Sequence, residues 1–529
     1  MHIGLFFSTV NGLITQSVDV HKLARDYSDQ FVVSVFEDFF NAQEIQDMLI
    51  KMEVNSLDAV LLIGESPLAY RNRRSADFML EGIEGLGINP NKVGFVNLKE
   101  QLALVHPGKN SVHTEKAKLL IDAEIARLVE AHDLEIIPIA PRKTVAIIGA
   151  TPAGFLASQQ LLQKNYMVHM IENDKVDLNQ LAKSSRDLHP VITYVHRHSN
   201  FHLHTAATVN EFYGYVGDYS LQLDIAGDSV SLAAGAVIIA DFNNLDLVRR
   251  MQSLLHIDID EDGYFASRNQ DTLAVHSSEP GIFLIPTGQE RIGFTAAMAD
   301  SAVLAVIELL DCREIKHRVA ISDINTELCS ACGTCVKTCL FHACKIDSVA
   351  KVSIIDAKRC KGCGSCVTAC PTGARDLLTY PKQYLFKAVS ILSQLETEEH
   401  KILVLLCEGC GYQALDEAAL QGVQYPVGVL PLKVRCGGII DTQLILEAFH
   451  QGFDGVIICK CQDGHCSNIT GNIDLDRRAN LFREVLRSRK IDPERMRIVD
   501  ASQQDGNRCI EAILELGQGL SERGGGRNE

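Results

Sequence analysis

All 17 cysteines of this 529-residue chain lie between Cys312 and Cys509, so whatever they do is done locally. Eight of them form two runs of the same spacing, C-x2-C-x2-C-x3-C: Cys329, Cys332, Cys335 and Cys339, then Cys360, Cys363, Cys366 and Cys370, followed by Pro371. Thiolates so spaced wrap 4Fe–4S cubanes, three from one run and the fourth reaching the neighbouring cluster. By that rule Cys329, Cys332, Cys335 and Cys370 hold one cluster, and Cys360, Cys363, Cys366 and Cys339 hold the other. Gly333, Gly362, Gly364 and Ser365 keep the loops small enough for backbone N–H groups to approach sulfur. Zinc knuckles and disulfides also use cysteine, but neither calls for two identical four-point runs 31 residues apart. The first run ends on Leu340 instead of proline, and Cys312 and Cys344 fall outside the pattern.

A second set follows. Cys407 and Cys410 come after one predicted strand, Cys436 after another, and Cys459, Cys461 and Cys466 surround the end of a third. Parallel sheets gather ligand sites at the carboxyl ends of their strands, so these thiols predict one convergent site suited to iron–sulfur or zinc. Cys459 and Cys461 are two apart on a strand, and Cys461 is the one expected to reach the metal. Scattered buried structural cysteines are the plain alternative.

Upstream, the strand KTVAIIGA leads into Gly149-Ala-Thr-Pro-Ala-Gly154, where a dinucleotide site would read G-x-G-x-x-G. Thr151 replaces the middle glycine, which lets backbone approach a pyrophosphate, while Gly154 retains the packing role and Glu172 ends the next strand where a ribose carboxylate belongs. A βαβ unit that has kept its shape and lost its ligand is the competing reading. His196, His198, His202 and His204 read as two same-face pairs on strand-like stretches, as half-exposed histidines ahead of a metal site.

These residues need elements to carry them. Strand patterns at His2–Phe7, Phe31–Val35, Val60–Gly64 and Val93–Val96 predict an N-terminal α/β domain over 1–140. A Rossmann-like domain with a β-meander follows over 143–312, then the two-cluster ferredoxin region over 320–381. A C-terminal parallel α/β domain spans 400–517, and 518–529 reads as a disordered tail. The fold class is thus α/β and multidomain, with an α+β ferredoxin insert. A net charge of −17, from 50 basic and 67 acidic residues, argues against nucleic acid as a partner. No run approaches the roughly 18 apolar residues of a membrane helix, and the N-terminus lacks the pattern of a secretory leader, which places the protein in a reducing cytoplasm.

With those motifs in hand, the chain resembles the A-type subunit of heterodisulfide reductase, fused to a domain similar to the delta subunit of methyl-viologen-reducing hydrogenase. CEGC, VRCGGIID, KCQDGHCSNITGN and Arg477-Arg478 carry the second likeness. GESP at Gly64 to Pro67 and NLKEQLALVH at Asn97 to His106 support the first. The resemblance implies that Cys407, Cys410, Cys436, Cys461 and Cys466 are five candidates for the four ligands of a 2Fe–2S cluster. It implies partners in a redox complex: heterodisulfide-reductase-like B and C subunits, and a hydrogenase or dehydrogenase docking at the C-terminal domain. It also implies FAD, with electron pairs split between the cubanes and a partner. Phe7, Ser8, Ala42 and Leu102 stand about where the family has cysteines, so the extra N-terminal cluster is expected to be missing. Thr151, the short flavin domain and the closing stretch Phe283 to Gly288 depart from the flavin pattern and leave FAD open. The sequence reading is an electron-transfer subunit whose substrate chemistry resides in its partners. Two alternatives stand beside it: a flavin-free iron–sulfur wire and scaffold, and a stand-alone NAD(P)H-linked flavin oxidoreductase, for which no second fingerprint is found.

Overall fold

The computed structural model describes residues 1–70, 74–184, 187–240, 251, 254–255, 275–277, 279–285, 292–319, 321–463, 466, 468, 471–502 and 505–522. The chain divides into two compact units, one built from Met1–Glu135 together with Ala320–Glu529, the other from Ile136–Val319.

The chain opens with β1 (Ile3–Ser8), β2 (Val32–Phe36), β3 (Ala59–Gly64) and β4 (Val93–Asn97), in the all-parallel order β2-β1-β3-β4. IGLFFS and AVLLIG are buried along their whole length, as expected of central parallel strands covered by helices on both faces. Phe7 and Ser8 end β1, and Leu102 is fully buried.

The second unit carries β5 (Glu135–Ile139), β6 (Thr144–Ile148), β7 (Met167–Ile171) and β8 (Phe201–His204). It continues through β9 (Ala207–Tyr215), β10 (Asp218–Ile225), β11 (Asp228–Ala234), β12 (Ala236–Ile239), β13 (Ile282–Leu284) and β14 (Ile315–Val319). Its main sheet is parallel, in the order β13-β12-β6-β7-β8; β9, β10 and β11 form the antiparallel meander, and β5 pairs with β14. One stretch differs from the sequence reading. His189–Arg197 is a helix, begun by Pro190 in its first turn and burying Ile192 and Val195 three apart. His196 therefore lies in its last turn and His198 is its C-cap; only His202 and His204 are on a strand.

Short strands β15 (Ser322–Ile324), β16 (Cys344–Ile346), β17 (Ser353–Ile355) and β18 (Arg375–Leu377) frame the two cysteine runs, β15 pairing with β18 and β16 with β17. The chain then builds β19 (Ile402–Cys407), β20 (Val429–Val434), β21 (Gly455–Cys461) and β22 (Met496–Ala501), parallel in the order β20-β19-β21-β22. The last helix runs Gly506–Glu522, so 518–522 are helical where the sequence suggested a tail; it buries Ile513, Leu516 and Leu520. Residues 523–529 lie outside the described set.

Both ends of the chain share a polar seam. Ser66 Oγ donates to Asp416 Oδ2 at 2.5 Å and Asn97 Nδ2 to Asp416 Oδ1 at 3.1 Å, on the helix that follows Cys410. Tyr425 Oη donates to the Gln101 carbonyl, and its ring lies 5.3 Å from the buried Lys116 ammonium. Burial, with the Glu100 carboxylate adding to it, pushes Asp416 up to about 8. The folded chain thus holds this proton more tightly than the unfolded chain. The resulting stability is complete below the ordinary aspartate range and is lost as pH rises toward 8. Asp416→Asn should flatten the fall in stability between pH 5 and pH 8 by on the order of 2 kcal/mol. Melting curves at the two pH values check this, and equal slopes in both proteins would refute it.

Candidate metal centres

Each cysteine run turns tightly into a short helix, Thr334–Thr338 or Ser365–Thr368, through a glycine with positive φ, Gly333 (74°) or Gly364 (84°). The turn lets successive N–H groups face inward. Cys339, Cys360, Cys363 and Cys366 line one small cavity, the grouping expected when the fourth cysteine of one run joins three of the other. Cys344, set apart in the sequence reading, lines the same cavity, its thiol against those of Cys339 and Cys366.

At the other run, Ser353 N–H donates to Cys329 Sγ at 3.4 Å, and Ser353 Oγ lies 3.2 Å from Cys335 Sγ. Main-chain N–H groups of Thr372, Ala374 and Arg375 turn toward Cys370, and Cys332 Sγ sits 3.3 Å from Thr334 Oγ1 at the exposed rim. Such donors stabilise thiolate and added electron density alike. Ser353 and Arg375 went unnoticed in the sequence because neither has a residue type diagnostic of a cluster.

The five C-terminal candidates come together. Cys407, Cys410, Cys436, Cys461 and Cys466 form one buried cluster of sulfurs, with Cys407 and Cys461 Sγ 3.6 Å apart. They converge where β19, β20 and β21 end, the switch point of this sheet order. Gly471 makes room: a Cβ there would stand 2.3 Å from Cys436 Sγ. Cys459 turns away, its thiol meeting Cys509 in a separate apolar core.

Cys363 of the ferredoxin-type site packs directly against this cluster. The fit is close, since a Cβ on Gly438 would lie 2.7 Å from Ser365 Oγ and 3.0 Å from the Cys363 carbonyl. Arg478 fastens the contact, donating to Thr368 Oγ1 and to the Gly437 and Gly438 carbonyls.

The chemistry of the sulfurs fits metal. Burial pushes the Cys363 thiol up to about 12, and Cys436 is held well above the ordinary thiol range by its contact with Cys466 and by burial. Thiols this crowded and dry ionise together only around a cationic centre.

The dinucleotide crevice departs from its pattern at Thr151 and keeps it at Gly154 and Glu172. Thr151 Oγ1 accepts from Gly154 N–H at 3.2 Å, capping the helix Pro152–Gln163, and donates to the Ala240 carbonyl at 2.7 Å. The hydroxyl therefore uses a helix N-terminal donor and spans the ends of β6 and β12, where a pyrophosphate would lie. Glu172 accepts from Ala150 N–H at 2.7 Å. The packing role of Gly154 survives: a Cβ there would meet the Gly149 carbonyl at 2.4 Å. Gly288 lies outside the described residues. Nearby, the His169 ring stacks on His202 and His204, centroids 4.7 and 5.3 Å away, with 3.0 Å between His169 Nδ1 and His204 Nε2.

Comparison with known proteins agrees with the cysteine geometry. Residues 326–341 and 353–376 each match a 4Fe-4S binding domain, and residues 402–524 match the delta subunit of methyl-viologen-reducing hydrogenase. The iron-sulfur D-type subunit of the F420-non-reducing hydrogenase of Archaeoglobus profundus is 35% identical over 121 residues, 23% of this chain and 88% of that protein. The chain belongs to that delta-subunit family through its C-terminal domain. Ahead of this delta-type domain it carries two 4Fe-4S binding domains. It is also homologous to the A-type subunit of the ferredoxin:CoB-CoM heterodisulfide reductase of Methanosarcina mazei, 30% identical over 265 residues, 50% of this chain and 33% of that protein. The corresponding protein of Methanosarcina acetivorans is 30% identical over 271 residues, again 33% of its length. The chain thus spans about a third of the heterodisulfide reductase subunits it matches. No described helix is long and apolar enough to cross a membrane.

Proposed function

We propose that the chain is a cytoplasmic electron-transfer subunit of a heterodisulfide-reductase-like complex. It would relay electrons between a hydrogenase- or dehydrogenase-type partner at the delta-type domain and B- and C-like catalytic subunits. The packing of Cys363 against the five-cysteine site carries this reading, because it joins a cubane ligand to the delta-type domain with no intervening segment. Two 4Fe–4S clusters and one 2Fe–2S cluster, when bound, take up and release single electrons. The chain's own residues hold the thiolates, exclude water from the contact and fix its geometry through Gly438 and Arg478.

In this reading the Rossmann-like unit is a flavin-free scaffold, supported by the Thr151 hydroxyl lying across its crevice. FAD in that unit is the second reading, favoured by the retained Gly149–Gly154 contact and by Glu172 at the ribose position. Anaerobically purified protein should contain about ten irons per chain, the sum of two cubanes and one 2Fe–2S cluster, and flavin near zero after acid release. One flavin per chain would overturn the flavin-free form. Iron confined to the two cubanes would overturn the relay through the delta-type domain.

A further inference from the structure

The 31-residue offset between the cysteine runs extends beyond the cysteines. Ser322 and Ser353 are related by it, and each meets the third cysteine of the opposite run: Ser322 hydrogen-bonds Cys366, and Ser353 Oγ lies 3.2 Å from Cys335 Sγ. Cys344 and Arg375 are related by it too, each five residues past the last cysteine of its run and each opening a strand. Here the symmetry breaks. Cys344 places a neutral thiol against Cys366 and Cys339, whereas its counterpart is a guanidinium.

Arg375 is 1% exposed and no carboxylate pairs with it among the described residues. Its Nη2 donates to Ser353 Oγ, and to the Ile354 carbonyl at 3.4 Å; Nε and Nη1 are buried with no hydrogen-bond partner. The Ser353 hydrogen reaches either the Lys345 carbonyl or Cys335 Sγ, each at 3.2 Å, and the Arg375 main chain turns toward Cys370. A buried, unpaired cation is costly unless an anion stands beside it. Its side chain reaches Cys335 through Ser353 and its main chain faces Cys370, so the thiolate-bound cluster of Cys329, Cys332, Cys335 and Cys370 would be an anion within its reach.

We propose that Arg375 makes the two cubane sites unequal, holding the Cys329/Cys332/Cys335/Cys370 site at the higher reduction potential. The inference rests on the cubane assignment above. Added negative charge is stabilised by a nearby buried cation and by donors to sulfur, both of which raise a cluster's potential. The guanidinium charge acts on Cys366 of the other site, whereas its hydrogen-bond chain through Ser353 runs only to Cys335 and its main chain turns to Cys370, and it is through these bonds that the Cys329/Cys332/Cys335/Cys370 site is favoured. The Cys363 side abuts the delta-type domain, while Cys332 lies at the exposed rim. With both clusters bound, one electron passing from the Cys339/Cys360/Cys363/Cys366 site to the Cys329/Cys332/Cys335/Cys370 site would oxidise the first and reduce the second with no other reactant consumed, and that cubane-to-cubane step would be downhill.

Anaerobic potentiometric titration followed by EPR tests this on the full chain. Wild type should show two cubanes with separated midpoints. Arg375→Met, with its cluster absorbance intact, should lower the higher midpoint and narrow the gap, while Arg375→Lys, which keeps the charge, should preserve most of it. Should Arg375→Met not load clusters, Ser353→Ala carries the test, since it removes the hydroxyl bridge and should narrow the gap in part. An unchanged gap in the loaded variant overturns the assignment to Arg375. Absence of two cubane signals in wild type overturns the cluster reading and this inference with it.

Discussion

Replacing Cys436 by serine is expected to remove about two irons per chain, the content of one 2Fe–2S cluster, and to leave both cubanes in place. Cys436 follows β20, its thiol touches that of Cys466, and Gly471 leaves room beside it. Cys436 is the one thiol of the five carried past the end of β20, so the four that remain approach from the β19 and β21 ends alone, and the neighbouring Cys459 faces Cys509; full iron retention would make Cys436 the spare of the five. Cys459→Ser should therefore retain full iron and change stability only by the modest cost of burying a hydroxyl, about 1–3 kcal/mol. Iron analysis with EPR of reduced protein separates the two variants. Iron loss in Cys459→Ser with retention in Cys436→Ser would reverse the ligand assignment.

Gly438→Val should leave all the iron bound and yet sharply slow electron passage from the delta-type domain to the ferredoxin-type sites. The valine side chain would meet Ser365 Oγ and the Cys363 carbonyl within van der Waals contact, so the two loops must move apart. Overpacking of this kind costs about 1–3 kcal/mol, too little to unfold the chain but enough to open the seam that Arg478 closes. Stopped-flow reduction by a donor acting at the delta-type domain reads the effect. An unaltered rate would mean that electrons do not cross at Cys363.

Much of this was legible because spacing is itself chemistry. Two four-point cysteine runs encode the ferredoxin-type loops, and unbroken apolar runs such as Ile402–Leu406 encode parallel strands buried on both faces. The five C-terminal cysteines could be grouped because strand ends in a parallel sheet converge. What was not legible depends on contacts between distant segments. The stretch around His196 and His198 alternates well enough to read as strand, and only the burial of Ile192 and Val195 shows the helical period of the segment that ends there. Arg375 looks like any surface cation until the 31-residue offset is followed into space. Asp416 gives no sign, by type or by neighbours in sequence, that Ser66 and Asn97 will enclose it.

The seam joining the chain's two ends also has a meaning in time. The first 135 residues leave the ribosome long before Asp416 and Tyr425 exist to cover them, with the whole second unit made in between. At synthesis rates of roughly 5–20 residues per second, Lys116 and its surroundings wait on the order of 15–60 s for their lid. A nascent chain in that interval presents an unfinished polar and aromatic surface, open to a chaperone until the later residues arrive.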